Sequence, residues 1–80
     1  MRDKQSSDQE LDTTGYHCPL PALKARRQLA NMQAGEVLHL IATDPMAQID
    51  IPHFCQEQGH ALIEQWQQEQ SLHFRIRRRP

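Results

Sequence analysis

The spacing of apolar residues changes along the chain, and each change marks an element. Ala22, Ala25, Leu29 and Met32 recur at i, i+3, i+7 and i+10, which is one face of a helix. Lys24, Arg26, Arg27 and Gln28 fall mainly on the other side, so the spacing predicts a helix from Pro19 to about Asn31. Gly35 is its stop. Val37, Leu38, Leu40 and Ile41 crowd the stretch 36–43, which reads as a largely buried strand. Leu72, Phe74 and Ile76 alternate with His73, Arg75 and Arg77, a period of two with the basic side facing out. A strand is expected over His60–Gln67, although Glu64–Gln67 could extend a helix, with a turn at Glu69–Ser71. Leu11–Tyr16 is a short strand closed by Gly15.

The middle of the chain is read from its breakers. Asp44-Pro45 is a cap with a proline start signal, and Pro52 interrupts the segment after it. A turn or short 3₁₀ piece is expected from Pro45 to Asp50. A helix is then expected from about Ile51 to Gln58, capped by Asp50 and stopped by Gly59. The order β-α-β-α-β-β implies a two-layer α/β (α+β) sandwich, a four-stranded mixed sheet with two helices on one face.

Composition narrows the class. Eighty residues make one domain with a modest core. Residues 1–9 hold no apolar side chain after Met1 and are expected to be a disordered tail before a single domain over 10–80. A net charge of -1 gives no global pull toward nucleic acid or an anionic membrane. No apolar run is long enough to span a bilayer, and the N-terminus lacks a secretory core region. A cytoplasmic chain is expected, and there Cys18 and Cys55 are reduced thiols rather than a bridge.

Candidate chemistry centres on Tyr16-His17-Cys18-Pro19-Leu20-Pro21. A thiol directly before a predicted helix meets free N–H groups and the positive end of the helix dipole, which favour a thiolate. Pro19 fits the first helical position, and Pro21 still lies in the first turn, so neither breaks a helical bond. The N–H groups of Leu20 and Ala22 remain to face the sulfur. This reading expects a Cys18 more acidic than a free thiol. The alternative is a small apolar residue filling a loop, and on the residues alone both stay open.

The remaining candidates have plainer readings. Cys55, beside Phe54, reads as a buried core thiol. His17 could aid the thiolate, but neighbours at a strand end point to opposite sides. The five histidines show no metal-ligand spacing, so neither a metal nor a cofactor is expected. Asp44 is a helix cap. Arg75, Arg77, Arg78 and Arg79 read as the solvated face of an edge strand; the competing reading is an RNA or acidic-partner surface on a small regulatory module. A dithiol oxidoreductase is disfavoured, because Pro21 stands where the second thiol of Cys-x-x-Cys would be.

From Leu11 to Arg78 the chain resembles the TusA/SirA-like sulfur-carrier proteins. The resemblance rests on Leu11-Asp12 with Gly15, on Cys18-Pro19-Leu20-Pro21, on Gly35-Glu36 and Asp44-Pro45, and on Asp50-Ile51-Pro52 with Phe54-Cys55. It implies a persulfide carried on Cys18, received from a cysteine desulfurase or rhodanese-type donor and passed to an acceptor sulfurtransferase. Such a protein is a relay rather than a turnover enzyme, and it serves tRNA thiolation, cofactor maturation or sulfur oxidation. The implied partners are those two proteins, with no direct membrane contact, nucleic acid disfavoured, and a monomer when free. Pro19, Leu20 and Pro21 would flank the thiol at the partner surface, and Arg26 and Arg27 would add electrostatic steering. The better-known tRNA-thiolation carriers of that family tend to have an acidic residue between the two prolines. Leu20 stands there instead and makes the surface beside Cys18 more apolar.

Overall fold

A computed structural model describes residues 8–80. The elements are β1 (Asp8–Thr13), α1 (Leu20–Ala30), β2 (Val37–Ala42), α2 (Ala47–Gln58), β3 (Ala61–Gln68) and β4 (Ser71–Arg77). The sheet order is β1-β2-β4-β3. β1 runs parallel to β2, with Leu11 opposite Leu40, and β4 is antiparallel to both β2 and β3. The expected order and the mixed sheet under two helices are both present.

Alternation decides which face is covered. Leu38, Leu40 and Ala42 of β2 and Leu72, Phe74 and Ile76 of β4 are buried. They meet Ala25, Leu29 and Met32 from α1 and its exit, and Ala47, Ile51, Phe54 and Cys55 from α2. The α2 residues fall at i, i+4, i+7 and i+8, a single apolar stripe. His39, His73 and Arg75 point to the other face of the sheet, where the Trp66 and His73 rings stack 4.9 Å apart.

Three boundaries differ from the expectation, each for a physical reason. β1 starts at Asp8 rather than Leu11 and ends at Thr13 rather than Tyr16. Asp8 and Gln9, expected in the tail, pair with Val37 and Leu38, and Asp8 Oδ2 lies 3.1 Å from Arg75 Nη2. Residues 1–7 of the expected tail lie outside the described residues.

The second helix begins at Ala47, four residues before Ile51, with Pro52 inside it. Its entry is wound tightly, with Ala47, Gln48 and Ile49 N–H bonded to Asp44, Pro45 and Met46 carbonyls three residues back. Burial of Ala47 and Ile51 outweighs the bond that Pro52 cannot make. The helix ends at Gly59, whose φ of 79° is left-handed, and His60 N–H bonds back to Cys55 O at 2.9 Å.

β4 is an inner strand, not an edge, and of its two arginines only Arg77 is exposed. Arg75 bridges Asp8 of β1 and Glu64 of β3. Arg78 Nε donates to Leu29 O at 2.9 Å, and Arg79 Nη1 donates to Gln58 O at 2.7 Å. The chain's last arginines thus satisfy carbonyls in the last turns of both helices, where orphan acceptors and negative dipole ends lie.

Candidate functional site

Cys18 lies in the β1–α1 loop, at the end of the sheet where the parallel strands β1 and β2 both finish. The loop is anchored to its counterpart after β2. Gly15, at φ 86°, donates its N–H to Thr43 Oγ1 at 3.0 Å, and Tyr16 N–H returns to Thr13 O. Asp44 supplies the second tie. One carboxylate oxygen accepts the Met46 N–H at 3.0 Å, starting α2; the other accepts the Cys18 N–H at 2.6 Å. Those two bonds, first Cys18 and then Met46, hold the Asp44 carboxyl below its ordinary range. The cap residue of α2 is Met46 rather than Asp44, which lies two residues earlier, holds the turn into the helix through the Met46 N–H and positions the Cys18 loop.

The acid–base expectation for Cys18 is overturned. The thiol is exposed, and it donates a hydrogen bond to Asp50 Oδ2 at 2.7 Å. That bond, then desolvation, then the charges of Asp50 and Asp44, raise the thiol above its ordinary value. The helix terminus does not counter this. Pro19 is the cap residue, one position earlier than expected, behind a cis Cys18–Pro19 bond, and Pro21 is the second helical residue. Neither proline has an N–H. The Leu20 N–H is bonded to His17 O at 2.9 Å rather than turned to the sulfur. Two carboxylates stand near the sulfur instead, and their charge disfavours the thiolate. His17 points to Asp44, with Nδ1 3.8 Å from Oδ2.

Sequence reasoning missed Asp50 as a partner of the thiol, placing it only as a helix cap. Asp50 instead sits in the first turn of α2, with Met46 as the cap residue. It was visible as part of Asp50-Ile51-Pro52, but nothing local joins it to a residue 32 positions earlier.

Apolar side chains stand exposed on the same loops and first turns: Tyr16, Leu20, Leu23, Met46 and Ile49. Leu20 is 42% exposed and Ile49 64%. Such residues at one end of a small domain exceed the scattered apolar exposure that is ordinary. Met46 and Ile49 were apolar positions in a stretch read as a turn, which was the available signal. Beside them runs a groove of about 560 Å³ between the β1 edge and α1, lined by Leu11, Leu20, Leu23, Lys24 and Arg27 among others. Arg26 and Arg27 are not one patch. Arg27 lines this groove, whereas Arg26 lies on the other side of α1 with His60, Arg78 and Arg79.

Cys55 is buried in the core, and burial pushes its thiol up to about 11. Among the described residues no cluster of three or more His, Cys, Asp or Glu side chains could hold a metal ion. Among them also, no helix is long and apolar enough to cross a membrane.

Comparison with known proteins bears on the same region. The family model described as sulfurtransferase TusA matches residues 9–78, from β1 through the end of β4. The chain belongs to the TusA family. Among its relatives is the sulfur carrier protein TusA of Allochromatium vinosum, 44% identical over 71 residues, which cover 89% of this chain and 93% of that one. The sulfur carrier protein TusA of Pseudomonas putida strain GB-1 is 39% identical over 72 residues, 90% of each chain. The crystal structure of a SirA-like protein from Desulfitobacterium hafniense superposes with a TM-score of 0.78. It covers 89% of this chain and 97% of that one, and at 19% identity it shows a shared fold. The TusA family membership and the SirA-like fold agree with the resemblance read from the Cys-Pro-x-Pro element and the motifs after it.

Proposed function

We propose that this TusA-family chain is a sulfur carrier that holds sulfane sulfur as a persulfide on Cys18 and relays it to the thiol of an acceptor protein. The observation that carries the reading is the exposed Cys18 thiol on its two-proline loop, in a chain whose relatives are sulfur carrier proteins. A carrier's sulfur must be reachable by two partner proteins in turn, and a thiol at the open end of the sheet meets that need. Pro19, Leu20 and Pro21 frame the thiol at the contact surface, and Arg27 along the groove adds a positive charge near it. Arg26, facing away, contributes to longer-range steering only. The donor is a protein persulfide of the cysteine desulfurase or rhodanese type. The relay works in a reducing compartment such as the cytoplasm, where both thiols stay free.

The test is intact mass after incubation with a cysteine desulfurase and cysteine, and separately with a rhodanese and thiosulfate. One added sulfur atom, removed by reductant and absent in folded Cys18→Ser protein, is expected with at least one of the two donors. Sulfur that still adds to Cys18→Ser would refute the assignment.

A further inference from the structure

The carboxylate of Asp50 reaches the Cys18 sulfur from another element. Its Oδ2 lies 2.7 Å from Sγ, within the distance over which a base takes a proton directly. The other charged groups at the thiol are placed differently. Asp44, in the β2–α2 loop, is occupied by two backbone N–H groups, and His17 lies 3.8 Å from Asp44. From α1, the Leu20 N–H is bonded to His17 O. Asp50 is thus the side chain bonded to the thiol proton, and that proton has to leave before sulfur can bond to Sγ.

We infer that Asp50 is the proton acceptor and donor for sulfur transfer at Cys18, an inference that rests on the persulfide reading. In loading, Cys18 Sγ gives its proton to Asp50 Oδ2, and the freed electron pair attacks the outer sulfur of a persulfide R–S–SH. The new Sγ–S bond forms as the donor's S–S bond breaks. That bond's electron pair leaves on the donor's inner sulfur, which takes the proton from Asp50. The sum is Cys18–SH plus R–S–SH giving Cys18–S–SH plus R–SH, with no outside oxidant or reductant. In unloading, the acceptor thiol protonates Asp50 and attacks the outer sulfur. Sγ then leaves with the bond pair and takes the proton back.

The experiment measures the rate of sulfur uptake from glutathione persulfide against pH, in wild type, Asp50→Asn and Asp50→Glu. Thiolate absorbance gives the Cys18 pKa of each, and circular dichroism confirms folding. The expected result has two opposite signs. Loss of the carboxylate lowers the Cys18 pKa, yet uptake at pH 7 slows by about 100-fold. The deficit narrows at pH values where wild-type Cys18 is already thiolate and needs no base. Asp50→Glu restores part of the rate, since a carboxylate is present again. A role confined to raising the thiol pKa predicts the reverse, because Asp50→Asn would then hold more thiolate and load faster. Loading of Asp50→Asn as fast as wild type, an unmoved Cys18 pKa, or no rescue by Asp50→Glu overturns the inference alone. A wild-type protein that takes up no sulfur from any donor overturns the persulfide reading, and this inference with it.

Discussion

Replacing Cys55 by serine separates the core thiol from the carrier thiol. Cys55 is 2% exposed and packs in a core that includes Ile51, Phe54 and Phe74. Its thiol is raised from 9.0 to about 11 by burial, so at pH 7 it is protonated and a poor nucleophile. A serine there places a hydroxyl in apolar surroundings, which costs about 1–3 kcal/mol when no hydrogen bond compensates it. For a domain of this size each 1 kcal/mol lowers the melting temperature by roughly 4–8 °C, so a fall of about 4–24 °C is expected. The pH dependence has a definite sign. A thiol whose folded value is raised stabilises the fold below 9.0 and loses that contribution as pH climbs through about 11. Cys55→Ser should lack this alkaline component. Thermal melts at pH 7 and from pH 8 to 11, with sulfur uptake read by intact mass at a temperature where the variant is folded, make the assay. Lower stability with normal uptake is expected. An unchanged melt would remove Cys55 from the core, and loss of uptake in folded protein would make it a second relay thiol.

Two further changes probe the surface and the arginines. Leu20→Glu should alter the ratio of transfer rates with a desulfurase and a rhodanese donor while moving the melt little, because Leu20 is 42% exposed; equal rates with both donors would show that Leu20 does not set partner choice, and a large fall in the melt would place it in the core. Arg78→Ala removes the 2.9 Å bond to Leu29 O and should cost about 1 kcal/mol, a fall of roughly 4–8 °C, without changing sulfur uptake; an unchanged melt would show that the bond to the last turn of α1 is not stabilising.

Residue order alone determined the parts of this protein that repeat with a period. The 3.6-residue spacing of Ala22, Ala25 and Leu29 and the two-residue alternation of Leu72, Phe74 and Ile76 are local consequences of helix and strand geometry, and the matching elements lie where the spacing put them. The Cys-Pro-x-Pro element likewise pointed to the family and to the thiol. Tertiary structure decided the rest. Asp8 and Gln9 have no apolar signal and belong to a strand because β2 pairs with both and Arg75 holds Asp8. Pro52 reads as a breaker, yet α2 runs through it because Ala47 and Ile51 bury against the sheet. The arginines of the last strand look like a solvated edge until β3 pairs outside them. The protonation of Cys18 is the sharpest case. Local sequence places the thiol at a positive helix end, whereas folding brings Asp44 and Asp50 beside it from 26 and 32 residues away. Charges act through space, so a group's acidity depends on neighbours that only the packed chain supplies.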